Sequence, residues 1–142
     1  METDEARRER IGHQGSAFSR HLGSRTTHVS ADRIEGEMTV SPDLLNRNGL
    51  LHGGAVMGMA DILGGSAASV NIADDEMTTT TESKTNFFRS VAAGEVVRGV
   101  CLPLHRGRRT QVWQTSLYRQ DGKLVAQVTQ TQMTLPRAGG RG

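Results

Sequence analysis

Apolar residues along this chain keep two different periods. From residue 54 to 70, Val56, Met59, Ala60 and Leu63 recur at i, i+3, i+4 and i+7, which places them on one face of an α-helix. Residues 77–88, 95–104, 109–118 and 124–134 alternate apolar and polar positions and are rich in Thr and Val, the pattern of half-buried strands. Residues 26–40 repeat that pattern as two short strands carrying Val29, Ile34, Met38 and Val40, with a turn near 31–33, and Ser41-Pro42 ends the second. The four long strands are separated only by residues 91–94, 105–108 and 119–123, the last with an Asp121-Gly122 hairpin signal. Connections that short make antiparallel neighbours, so the expected class is α+β: an antiparallel sheet with one long helix against one face.

Before this block, residues 1–22 are charged with sparse apolar positions (Ile11, Phe18, Leu22) and read as one lead-in helix on the surface. Residues 23–136 form the domain, and residues 137–142, beyond Pro136 and rich in Gly, read as a disordered tail. A chain of 142 residues holds one hydrophobic core. With aromatics at only 4%, that core is built from aliphatic residues and Met, and its thinness favours further burial by oligomerisation. The net charge of +2 is spread along the chain except at Arg106, Arg108 and Arg109, which argues against a nucleic-acid-binding face. The charged N-terminus lacks the apolar core of a signal peptide, and no run approaches the roughly 18 apolar residues of a membrane span. A cytoplasmic protein without membrane attachment is expected. The single cysteine, Cys101, permits neither an intramolecular disulfide nor a multi-cysteine metal site, and its ordinary role is that of a small buried apolar residue.

Chemistry concentrates where the helix begins. Gly53 has no Cβ and would let a ligand reach the backbone, and the first amides of a helix have no internal partners. Backed by the positive end of the helix dipole, the Gly53-Gly54 turn is a plausible oxyanion hole. Asp61 lies among the turns that carry the apolar stripe, where burial would suit it to base work; the plainer reading is a partly exposed helix carboxylate without a task. Eight residues separate Gly53 from Asp61, about 12 Å along a helix axis. One carbonyl carbon cannot touch both, so the two cooperate only if they come from different chains, across a two-fold dimer interface. His52 reads mainly as a loop-structuring residue beside a possible substrate contact. Arg89, Arg106, Arg108 and Arg109 match the geometry of phosphate, or are a solvated strand-end cluster. Glu82 and Lys84 alternate on one strand face and read as simply pairing with neighbours, and Trp113 reads as core or interface.

Residues 39–135 also resemble the phenylacetate-pathway type of hotdog acyl-CoA thioesterases. The resemblance rests on N-x-x-G-x-x-H-G-G followed by a helix Asp (Asn46, Gly49, His52, Gly53, Gly54, Asp61). It extends through T-x-E-x-x-x-N-F-F-R (Thr80, Glu82, Asn86, Phe87, Phe88, Arg89) and H-x-G-R-R from His105 to Arg109. It implies a hotdog fold, with the sheet wrapped around the helix, in a homodimer and a dimer of dimers. It also implies an acyl-CoA or acyl carrier protein thioester as substrate, with no cofactor beyond the CoA that the substrate itself carries. In such enzymes the helix carboxylate, here Asp61, is general base or nucleophile. The Gly53 amide polarises the carbonyl, Asn46 positions substrate or water, and a strand hydroxyl holds the water. Thr80 matches that hydroxyl, with Thr78, Thr79 and Thr81 leaving the register open.

Two rivals share the fold. A dehydratase or hydratase needs a catalytic His, for which only His52 lies near the helix, and the Pro-rich turns expected beside it are replaced by Gly53-Gly54. A non-catalytic acyl-binding protein would lack a productive carboxylate, which Asp61 supplies. No G-x-S-x-G elbow occurs, and the five histidines show no paired ligand spacing. The small residues between 64 and 69 and the Phe87-Phe88 pair leave an aromatic or a medium-chain acyl pocket open.

Overall fold

The helical rhythm becomes one long helix of 17 residues, Gly53–Ser69, and its four stripe residues Val56, Met59, Ala60 and Leu63 are buried. In the computed structural model, which describes residues 1–138, this is α3. It follows α1 (Asp4–Gly12), α2 (Ala17–Leu22), β1 (Ser24–Val29), β2 (Ile34–Thr39) and a 3-10 turn at Pro42–Leu44. After it come β3 (Glu76–Phe87), β4 (Val96–Arg106), β5 (Thr110–Tyr118) and β6 (Leu124–Pro136). The strands form one sheet in the order β1-β2-β4-β5-β6-β3, with every pairing antiparallel. Helix α3 packs against β2, β3, β4, β5 and β6, so the sheet curls around it: this is the hotdog fold.

Close seating of helix on sheet has an identifiable cause. Gly36 and Gly99 face each other across β2 and β4, and a Cβ on either would stand 2.8 or 2.5 Å from a methyl of Leu63. Leu63 therefore fills the space that two missing side chains leave, and a side chain at either glycine would overpack the core. On the far side of the sheet's inner face Trp113 is fully buried, its indole N–H donating to Gln111 Oε1 at 2.8 Å, which satisfies the one polar atom of the largest core residue.

Three sequence expectations need correction here. The lead-in is two helices rather than one: Ser16 ends the link by capping α2, its Oγ accepting from Ser19 N–H at 3.1 Å while Ser19 Oγ accepts from Ser16 N–H at 2.8 Å. Short loops did not always join neighbours, because β3 pairs with β6 and not with β4. The connector between them crosses the end of the sheet, held by Phe88 N–H to Val125 O at 2.8 Å, Leu51 N–H to Val91 O at 2.9 Å and Gly94 N–H to Val40 O at 2.8 Å. Backbone bonds to distant strands, rather than chain length, set its path. Residue 137, expected to begin the tail, is instead tied to the fold, since Arg137 donates from its backbone to Asp75 O and from its Nε to Asp74 O; the rest of that expectation, residues 139–142, lies outside the described residues.

Cys101 is buried in the core, and burial pushes its thiol up to about 12, a hydrogen bond with Thr115 opposing only in part. A thiol so placed offers no thiolate at neutral pH. The folded protein is expected to resist iodoacetamide over hours and to react stoichiometrically once unfolded in guanidinium, as read by intact mass. Among the described residues no helix is long and apolar enough to cross a membrane.

Candidate active site

One residue past Ala60, the side chain of Asp61 is turned about 100° from the buried stripe, toward β3 and β6. There Thr80 donates its hydroxyl to Asp61 Oδ1 at 2.6 Å, and Gln130 donates from Nε2 to the same oxygen at 3.2 Å. Gln132 Nε2 in turn lies 2.6 Å from Thr80 Oγ1. A bulge between Thr80 and Glu82 shifts the β3 register, and of the four consecutive threonines it is Thr80 that meets the carboxylate. Asp61 is exposed on the single chain, where burial had been expected. The reason is positional: β3 is an edge strand, and the carboxylate also borders an open cavity of about 380 Å³ between α1, α3 and β3, with Ile11, Gln14, Ile62, Ser66 and Met77 on its walls.

The turn before α3 is organised from within. His52 is the N-cap, and its Nδ1 accepts from Gly54 N–H at 2.8 Å. His52 therefore structures the turn, and its ring occupies the Gly54 amide. Gly53 N–H has no partner among the described residues. Asn46 is likewise committed through Oδ1, which accepts from Asn48 N–H at 2.9 Å and Leu50 N–H at 3.2 Å, so its loop is a preformed Asx-type turn. A Cβ on Gly53 would stand 3.2 Å from the Phe87 ring, and a second cavity of about 370 Å³ opens there between Gly53, Phe87, Phe88, Arg89 and Val91. Phe87 and Phe88 are both about half exposed, at 52% and 53%.

On one chain the parts stay apart. Gly53 and Asp61 are held by a regular helix at about 12 Å along its axis. The four arginines also divide. Arg89 sits at the Phe87 end of β3, donating to Leu124 O at 2.8 Å. Arg108 and Arg109 border a cavity of about 580 Å³ with Asp75 and Glu76 at the other end of that strand, and Arg106 is paired with Asp32 at 2.7 Å. On β3 Lys84 pairs with a neighbour, donating to Asn86 Oδ1 at 2.6 Å. Gln130 and Gln132 were not anticipated, although the alternation of β6 places both in the buried register with Val128. A polar residue at a core-facing strand position was the available signal.

Residues 48–126 match the thioesterase superfamily model. Among curated proteins, the chain is 38% identical over 103 residues to the proofreading thioesterase EntH of Cronobacter turicensis, covering 72% of this chain and 74% of that protein. Among solved structures, a Haemophilus influenzae thioesterase superposes with a TM-score of 0.82 at 25% identity, covering 100% of this chain and 96% of that one. The PaaI protein of the E. coli phenylacetic acid degradation operon superposes with a TM-score of 0.85 over 94% of this chain and 96% of that one. At 20% identity that last likeness speaks to the fold alone.

Proposed function

Because this chain belongs to the thioesterase superfamily and is a thioester hydrolase, we propose that it cleaves an acyl-CoA with an aryl or medium-chain acyl group, at a site shared by two copies of the chain. The observation that carries this reading is the pairing of a carboxylate fixed by Thr80 and Gln130 with a partnerless Gly53 amide that its own helix keeps out of reach. A hydrolytic centre needs both within about 3 Å of one carbonyl. A second copy supplies the missing half.

The edge of the sheet supports such a partner. Strand β3 is 12 residues long, exposed on most of its length and unpaired on its outer side in the single chain, which is a template for another strand. Antiparallel pairing of two β3 edges about a two-fold axis runs the partner's Phe87 end back toward Thr80 and Asp61. With Phe87 comes the Gly53 turn that lies against it. The same operation brings Arg89 of one copy toward the Arg108-Arg109 end of the other, so a CoA carrier would meet guanidinium groups from both.

In this arrangement the Gly53 N–H of one copy holds the thioester oxygen while Asp61 of the other works on the carbonyl carbon. As general base, Asp61 takes a proton from water as its oxygen bonds to that carbon, the C–S bond breaks, and the proton passes to the departing thiolate. As nucleophile it would form a mixed anhydride that water then opens, releasing the same acid and thiol. Thr80, already donating to Oδ1, fixes the carboxylate in either route, and Asn46 keeps the loop that presents Gly53. A panel of aryl, short-chain and long-chain acyl-CoAs, read by free-thiol release, tests the reading. Turnover of aryl or medium-chain thioesters with kcat/KM above about 10⁴ M⁻¹s⁻¹ is expected; an untouched panel would leave an acyl-binding protein as the better description.

A further inference from the structure

The buried amide of Gln130 has no structural reason to be there. It is 1% exposed on the core side of β6, its Oε1 has no hydrogen-bond partner among the described residues, and only its Nε2 is used, toward Asp61. An unpaired buried carbonyl is destabilising, and an apolar residue of similar length would fill the same volume without that cost. The helix also yields to it: a Cβ on Gly64 would collide with the Gln130 amide, so α3 carries a glycine in mid-helix, where glycine is unfavourable, at the point where Gln130 passes. Gln132 repeats the theme one inward position along, buried to 1% and bonded to Thr80 Oγ1.

From these contacts we infer that Gln130 is a positioning residue for thioester hydrolysis: lodged over Gly64, it holds Asp61 by Oδ1, together with the Gln132–Thr80 pair, and so presents Oδ2 to the reacting carbonyl or water. The inference rests on the proposed role of Asp61. Both bonds to the carboxylate fall on one oxygen, which fixes its rotation about χ2 and leaves the other oxygen without a partner among the described residues. Gly64 has a different part from its neighbour Gly65, whose missing Cβ would meet nothing within 4 Å.

The test is Gln130→Met, which keeps length and volume and removes the donor. Melting temperature is expected to stay equal or rise, because the unpaired carbonyl goes with the amide. Turnover is expected to fall about 10- to 100-fold with KM within about threefold, and the pH profile of kcat/KM to differ from that of the wild type, which a merely structural role would leave unmoved. The other charged groups on that cavity, Arg7, Arg10, Asp74 and Arg137, are unchanged by the substitution. Gln130→Glu gives a second readout: protonated, it donates as the amide does, and ionised, it repels Asp61, so a basic limb absent from the wild type should appear. A Gln130→Met enzyme with wild-type kcat, or a slower one with an unmoved pH profile, overturns the inference. Asp61→Asn measured alongside separates the two ideas: if that variant stays active, the role of Asp61 itself has failed.

Discussion

Asp61→Asn lowers kcat by about 10²–10⁴-fold, the usual range for loss of a general base, while leaving KM within a few-fold and the melting temperature nearly unchanged. The side chain keeps its shape, and Thr80 and Gln130 keep a carbonyl oxygen to bond at the position of Oδ1. Because Asp61 is exposed on the single chain, its charge adds little to the packing of the core. Full activity in the Asn variant would remove the carboxylate from the mechanism. Steady-state kinetics with a thiol readout, beside a thermal melt, measures both halves of the expectation.

Gly53→Pro is the matching test of the backbone donor. A substitution normally leaves an amide in place, but proline removes it, and this is the one position where that can be done gently. Gly53 is the first residue of α3, where no intrahelical partner exists for the N–H and proline's fixed φ suits the helix. His52 before it has φ −66° and ψ 136°, the extended conformation that a residue preceding proline adopts. The Phe87 ring, 3.2 Å from where a Cβ would stand, needs to shift by a few tenths of an ångström. The variant should fold, and its kcat should drop about 10²–10³-fold, as when an oxyanion donor is lost elsewhere. Unchanged turnover would mean that the carbonyl oxygen is held by another group.

The parts of this molecule that were legible in its sequence are those set by local periodicity. The stripe of Val56, Met59, Ala60 and Leu63 made a helix, and alternation made six strands, because a face must be buried wherever its neighbours lie. The order of strands was not legible in the same way. Pairing of β3 with β6 depends on residues 88–95 bonding to Val125, Leu51 and Val40, contacts that leave no mark on the intervening sequence. The helix Asp and the glycine turn could be picked out from residue type and spacing, and their separation of about 12 Å is the ground for proposing a site made by two chains. What lay hidden was the support beneath them. Gln130 and Gln132 occupy inward positions of a strand, and their amides look like ordinary surface residues until the register of β6 is known. The arginines were grouped by composition, whereas the direction of β3 sends Arg89 to one end and Arg108 to the other.

The shared site can be tested by complementation. Asp61→Asn and Gly53→Pro subunits, each nearly inactive alone and each running at wild-type size, are co-expressed in equal amounts. Random pairing makes about half of the dimers mixed, and in a mixed dimer one site carries both changes while the other has an intact Asp61 facing an intact Gly53. About a quarter of wild-type activity per subunit should therefore return. Activity no greater than the average of the two separate variants would contradict the two-chain site.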